Sequence, residues 1–306
     1  MVSPIIIAGP TASGKSALAM QIARQVGGEL ICADSRQVYA HMSVGTAGPS
    51  FEDMSQIPHH GFSQIDPDQT YDAGQFVQDA DRYVAEILKR NRVPILVGGT
   101  GLYLRAFRYG LNDVPARDEK IRAQILEVKD QLGLQNLYEQ LKEIDNEAAQ
   151  KIAATDEVRI LRALEIWHLT KQKPSELRKS HFSQTPRVQA QWLLIYPEKE
   201  WLWDRLLARV QHMFDNGLVE EALALRKRIC VKTEILKTMG YEEALLWADG
   251  VLGKDEAIMK AAIRHRQYAR RQMTWFKKET WWSRVDSNWC AREDSNSCSI
   301  WREIFA

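Results

Sequence analysis

The run IIIAGPTASGKSALAM, residues 5–20, decides the fold. Its first four residues, Ile5 to Ala8, are apolar and β-favouring, and we read a strand over residues 4–9. From Lys15 to Val26 apolar residues recur at 17, 18, 22 and 26, the spacing of one helix face. Between strand and helix, Gly9, Gly14, Lys15 and Ser16 satisfy the spacing G-x-x-x-x-G-K-[ST]. The two glycines permit backbone dihedrals that turn successive N–H groups inward, and the helix start adds its partial positive charge. Lys15 supplies a mobile cation, and Ser16 offers a hydroxyl to magnesium. Gly9, Pro10, Thr11, Ala12, Ser13, Gly14, Lys15 and Ser16 together are therefore expected to wrap a chain of phosphates. The pattern does not say whose phosphates they are.

Outward from that loop, short apolar runs alternate with helical patterns. Residues 29–33 and 93–97 read as strands, and residues 70–91 as a long helix started by Thr70 and Asp72. Apolar strands separated by helices predict a parallel sheet covered on both faces. From about residue 113 the character changes. Helical periodicity runs through 118–131, 135–143, 146–153 and 156–170 with no strand between, and a polar stretch, 171–187, follows. Residues 188–196 return to strand, and helices follow over 198–216, with Gly217 as C-cap, 219–228 and 255–280. The expected fold class is α/β, a P-loop NTPase-like parallel sheet core flanked by helices. Its domains are a core of 1–112 and 187–285, a helical insertion over 113–186, and a tail over 286–306 in which Trp289 and Trp301 can pack.

The 306 residues carry 41 Lys plus Arg against 40 Asp plus Glu, so any nucleic-acid surface is local rather than global. Four cysteines form no C-x-x-C pair, which argues against a zinc site or a disulfide framework. The first apolar run is too short for a signal peptide, and no stretch approaches 18 apolar residues. We expect a protein of the reducing cytoplasm that does not engage a membrane.

Two more loops share the edge of the sheet with the phosphate loop. In ICADSRQVY, Asp34 ends the second strand, where strand carboxyl ends line a ligand crevice. A carboxylate there can take a proton from an attacking nucleophile, or it can close an Asx turn or cap a helix. In GGTGLYL, residues 98–104, the glycines allow close approach and Thr100 offers a hydroxyl; a tight strand-to-helix turn is the other reading. P-loop motors and GTPases commonly hold magnesium with an acid that ends another apolar strand. Here that strand runs into Gly98 and Gly99, which leaves Asp66 and Asp68 as the next candidates or as turn caps.

Six pieces occur in order: GPTASGKS, ADSRQVY, PHHGFSQIDPDQTYDAGQF, VGGTGLYLRAF, RILRALEIW and RQYARRQMTWFKK. Together they closely resemble the bacterial tRNA dimethylallyltransferases, over roughly residues 3–280. The resemblance implies transfer of a dimethylallyl group from dimethylallyl diphosphate to the exocyclic amine of adenosine 37 in tRNA, beside the anticodon. The phosphate loop then holds a diphosphate leaving group and its magnesium. By the same resemblance Asp34 is the base, Thr11 lies near the substrate and Arg205 reaches the diphosphate, with Arg209 one turn on. Asp34, Ser35, Arg36 and Gln37 match the segment that grips the extruded adenosine, and Thr100 matches a contact to that nucleotide. Val158, Arg159 and Arg162 match a further tRNA-contacting segment, and Arg122 another. A monomer that embraces the anticodon arm is implied.

Read without the resemblance, Arg205 is equally a surface residue of an amphipathic helix. Between 260 and 278 there are seven Lys or Arg and no acid, which fits phosphate contacts or a solvated helix face. Two departures from the family pattern stand out. Thr155-Asp156 replaces the common Asn-Asp before the RILRALE helix, with Thr155 expected to cap it. The residues before Gly240-Tyr241-Glu242 are also not the usual ones, which puts extra tRNA contacts there in doubt. Rival readings are an adenylate isopentenyltransferase acting on free AMP, a P-loop small-molecule kinase and a non-enzymatic RNA-binding ATPase.

Overall fold

A computed structural model describes residues 3–111, 115, 117–179, 185–229 and 233–286. The expected tail lies almost wholly outside the described residues. The chain divides into two compact units, Met1–Arg105 with Gln189–Ala306, and Ala106–Val188.

In the first unit the chain runs β1 (Ile5–Ala8), α1 (Lys15–Val26), β2 (Gly28–Cys32), α2 (Ser43–Thr46), α3 (Phe51–Gln56), β3 (His59–His60), α4 (Ala73–Lys89), β4 (Val93–Gly98) and α5 (Gly101–Tyr109), the last crossing into the second unit. The helices α6 (Glu119–Ile144), α7 (Asn146–Lys151), α8 (Glu157–Thr170) and α9 (Pro174–Lys179) belong to the second unit. The first resumes with β5 (Gln191–Tyr196), α10 (Lys199–Asp215), α11 (Leu218–Arg228), a 3₁₀ turn at Thr233–Ile235, α12 (Tyr241–Ala248), α13 (Lys254–Phe276) and β6 (Ser283–Asp286).

All six strands are parallel, in the order β3-β2-β4-β1-β5-β6. Every residue of β1 and β2 is buried, as strands in the middle of a covered parallel sheet should be; β1 is a continuous apolar run, and the one acid of β2, Glu29, is paired with Arg90 and His60 (2.7 Å each). Because β4 lies between β1 and β2, the loops leaving the carboxyl ends of these three strands stand side by side. Gly98 makes that closeness possible. A Cβ there would lie 2.0 Å from the Ala33 carbonyl oxygen, so no larger residue fits without moving the backbone.

The helix expected from residue 70 begins at Ala73, because Asp72 caps it with hydrogen bonds from the Gly74 and Gln75 N–H groups. Gly217 is not the C-cap of α10: Asn216 is, and Gly217 at φ 97° is the N-cap of α11, so one bend serves both helices. The strand expected from residue 188 starts only at Gln191. β6, α2, α3, α9 and α12 were not expected; each is eight residues or fewer, too short for a period to show.

The second unit packs its own core, in which Ile125, Leu137, Leu141, Ile160, Leu161 and Leu164 are buried together. Its long helix breaks at Gly133 (φ 83°, ψ 164°), between the two helices expected from the periodicity.

Candidate active site

The loop after β1 folds on itself. Ser13 N–H donates to the Pro10 carbonyl (3.2 Å), and a Cβ on Gly9 would lie 2.6 Å from Ser13 Oγ. Ala12 (φ 61°) and Gly14 (φ 85°) both take left-handed conformations. For Ala12 that costs about 1–2 kcal/mol, which the surrounding structure must offset. The loop leads straight into α1 at Lys15, and the exposed Ser16 hydroxyl follows in its first turn.

Three cations attend this loop. The half-buried Lys15 donates from Nζ to the Pro10 carbonyl (3.3 Å). Arg205 is exposed, as an amphipathic-helix surface residue would be, yet its Nε donates to the Ala12 carbonyl (3.2 Å) and its guanidinium lies 4.7 Å from the Trp201 ring centre. Arg209, one turn on, donates to the Thr46 carbonyl (3.0 Å). Burial, then the neighbouring Arg209, pull the Lys15 ammonium down to about 8, against the opposing pull of Asp34 and Cys32. Burial and Arg205 hold Arg209 down to about 10, with Asp34 acting the other way. So much positive charge, facing one carboxylate, favours an anion between them. An arriving polyanion must raise Lys15 above 8, so its binding takes up protons near that pH and weakens as pH rises from 7 to 9. Calorimetry with inorganic diphosphate in two buffers of different ionisation heat should show that uptake. Lys15→Met should reduce it to the contribution of the diphosphate itself, and an unchanged uptake would contradict the assignment.

At the end of β2, Asp34 Oδ1 accepts from the Arg36 N–H (2.8 Å) and the Gln37 N–H (3.3 Å). The Asx turn is therefore real, but it uses one oxygen. Among the described residues no hydrogen bond reaches Oδ2, which leaves it for a proton. Ser35 N–H donates to Thr100 Oγ1 (3.0 Å), and Thr100 N–H donates to the Ala33 carbonyl (3.3 Å), so the loops after β2 and β4 are tied together. Gln37 donates from Nε2 to the carbonyls of Thr46 (3.0 Å) and Ala47 (2.9 Å), while Arg36 is exposed. A cavity of about 80 Å³ beside the phosphate loop is lined by, among others, Ser16, Met20, Leu30, Gln37, Phe62 and Val97.

Asp66, a candidate for a strand-end acid, pairs instead with Arg228 (2.8 Å).

Two supports of this site escaped the sequence reading. Glu221 accepts from the N–H groups of Val44 and Gly45 (2.9 Å each) and from the Tyr241 hydroxyl (2.6 Å), which pins the short helix α2, whose Thr46 carbonyl holds Arg209 and Gln37. Along α13, Tyr268, Gln272 and Trp275 stand at i, i+4 and i+7 and face the loop at 98–101. Tyr268 stands against Thr100, Gln272 donates to the Gly99 carbonyl (2.9 Å), and Trp275 fills the place where Gly101 would carry a Cβ. Burial, then the charge of Asp34, push the Tyr268 phenol up from its ordinary value. The spacing of Tyr268 and Gln272 in RQYARRQMTWF was the available signal.

The second unit sorts its own expected residues into two kinds. Val158 (70 % exposed) and Arg159 (side chain 65 % exposed) stand open in the first turn of α8. Asp156, not Thr155, caps that turn by accepting from Arg159 N–H (3.2 Å), since its carboxylate reaches the free amide. Arg122 and Arg162 turn inward, 3.6 and 3.2 Å from the wholly buried Glu165 carboxylate.

The basic run of α13 divides likewise. Arg264 is bound to Glu242 and Glu243, and Lys260 to Glu256, whereas Arg266, Arg270, Arg271 and the two lysines that follow the helix are exposed.

The fold and site together are those of a P-loop-like α/β protein with a cation-lined glycine-rich loop beside a strand-end carboxylate. The family model described as IPP transferase matches residues 37–279, and one described as isopentenyl transferase matches residues 3–60. A tRNA dimethylallyltransferase of Anaeromyxobacter dehalogenans is 42 % identical over 275 residues, 90 % of each chain. Among solved structures, a tRNA delta(2)-isopentenylpyrophosphate transferase from Staphylococcus epidermidis is similar at TM-score 0.65 and 33 % identity, over 94 % of each chain. A eukaryotic dimethylallyltransferase acting on tRNA is similar at TM-score 0.81 and 28 % identity, over 98 % of this chain and 77 % of that one. The chain belongs to the IPP transferase family.

Proposed function

We propose that this chain transfers a dimethylallyl group from dimethylallyl diphosphate to the exocyclic amine of adenosine 37 in tRNA. The observation that carries the reading is the adjacency of the loops after β1, β2 and β4, which sets a cation-lined phosphate cradle beside Asp34. In the reaction the allylic carbon–oxygen bond breaks and a carbon–nitrogen bond forms. The electron pair of the broken bond leaves with the diphosphate, and the amine proton passes to Asp34 Oδ2. Negative charge grows on the leaving group, where the Gly9–Ser16 backbone, Lys15, Arg205 and Arg209 stabilise it. The cavity between Ser16 and Gln37 offers Met20, Leu30, Phe62 and Val97 to a five-carbon chain, beside the polar Asp53 and His59.

Magnesium fits the cradle. The exposed Ser16 hydroxyl and diphosphate oxygens make an all-oxygen ligand set, which suits a hard cation that keeps several waters. Bound there, the ion neutralises charge on the leaving group.

On the acceptor side Ser35, Arg36, Gln37 and Thr100 surround the reacting nucleotide, while Thr11 lies across from them in the cradle. In the helical unit, Val158 and Arg159 meet the RNA directly, while Arg122 and Arg162 shape that surface through Glu165. We place the reaction in the cytoplasm, on a monomer; among the described residues no helix is long and apolar enough to cross a membrane.

The test is incubation with dimethylallyl diphosphate, magnesium and unmodified tRNA, with AMP and ATP as competing acceptors, read by nucleoside mass spectrometry. Prenylated adenosine in tRNA alone is expected. Prenylated AMP would move the chain to the free-nucleotide branch, and ATP turnover without prenyl transfer would overturn the reading.

A further inference from the structure

Gln272 is a polar side chain, 5 % exposed, that joins two loops neither of which belongs to its own helix. Its Oε1 accepts from the Thr11 N–H (2.9 Å), inside the phosphate cradle. Its Nε2 donates to the Gly99 carbonyl (2.9 Å), one residue before Thr100. Thr100 in turn receives the Ser35 N–H (3.0 Å), next to Asp34. The side chain sits so close that a Cβ on Gly99 would lie 2.2 Å from Nε2. One amide thus spans the gap between the leaving-group cradle and the loop that carries the acceptor and its base.

Resting on the proposed transferase reading, we propose that Gln272 is a positioning residue for prenyl transfer. It sets the distance between the phosphate cradle and the Asp34–Thr100 side of the site, acting through Thr11 and Gly99 without touching the reacting atoms. Displacement along a line from amine to allylic carbon to departing oxygen depends on that distance, and small misplacements lower rate far more than affinity. An amide is required for this role. It alone among residues of its length offers an acceptor to Thr11 and a donor to Gly99 at every pH.

Two variants test this. Gln272→Met keeps the volume and removes both bonds. Its kcat is expected to fall about 10–100-fold, with KM for dimethylallyl diphosphate and for tRNA within about threefold of the parent. Gln272→Glu keeps the acceptor for Thr11 but turns a second oxygen toward the Gly99 carbonyl. When protonated, that carboxyl regains the donor. Its ordinary value of about 4.3 is raised by burial, so the variant should recover as pH falls. Its rate relative to the parent at the same pH is expected to rise at least about fivefold between pH 8 and pH 6.

A purely structural cross-link would lower the melting temperature and the folded fraction but leave kcat per folded molecule and the pH ratio unmoved. That result overturns the proposal, as does a loss confined to KM or an unchanged kcat in Gln272→Met. If Gln272→Met does not fold, the pH ratio of Gln272→Glu decides alone. A parent protein that transfers no prenyl group overturns the transferase reading, and this proposal with it. An active parent with unperturbed variants overturns only the role of Gln272.

Discussion

Replacing Asp34 with asparagine is expected to lower kcat about 10²–10⁴-fold, the usual contribution of a positioned general base, while tRNA affinity stays within about threefold. The geometry separates the two jobs of this carboxylate. Oδ1 closes the turn by accepting from Arg36 and Gln37, and an asparagine carbonyl oxygen does the same. Oδ2 is the oxygen available for the amine proton, and an amide cannot accept a proton there at useful cost. Asp34→Ala removes both functions, so its turnover falls as far and its tRNA affinity falls several-fold more as residues 35–37 loosen. Single-turnover kinetics and a filter-binding titration on the two variants read the jobs apart. An asparagine variant that turns over like the parent would end the base assignment.

The second large effect falls on Lys15. Lys15→Met should reduce kcat about 10²–10³-fold, as losing one preorganised charge donor to a developing anion does. Binding of dimethylallyl diphosphate should weaken with it, because the same ammonium meets ground-state and transition-state charge. Arg205→Met is the informative comparison. Arg205 is exposed and spends its Nε on the Ala12 carbonyl, so its loss loosens the loop and removes a more screened charge. We expect a smaller drop, about tenfold, measured by the same assay. Equal effects of the two substitutions would overturn this ranking and mean that Arg205 carries as much of the leaving-group charge as Lys15.

How much was legible depends on how local each feature is. The helix read over Lys15–Val26 is found with those bounds, since an apolar stripe, a preceding αL glycine and a terminal Gly27 are all written within fifteen residues. The central strands were equally plain, because a strand buried on both faces has no alternation to disguise it. β6 was missed because Ser283–Asp286 is a short edge strand of mostly polar residues, held by pairing with β5 rather than by its own pattern. Arg122 and Arg162 show the limit at single residues. Sequence places an arginine on a helix, but only packing reveals that both turn toward Glu165.

The candidate site divides in the same way. By itself the sequence determined the α/β class, the glycine-rich loop between β1 and α1, the acid at the strand end and the hydroxyl in the second glycine-rich loop, because each depends on neighbours a few residues away. Tertiary structure alone decided that β4 separates β1 from β2 and so sets the three loops abreast. It also decided that Gln272, 261 positions from Thr11, links the loops after β1 and β4, and that Glu221 holds the segment beneath Arg209 and Gln37. Local spacing limits dihedrals and periodicity within a turn or two of chain. Contacts between distant segments arise from how buried faces and polar groups are satisfied together, and no stretch of sequence states that on its own.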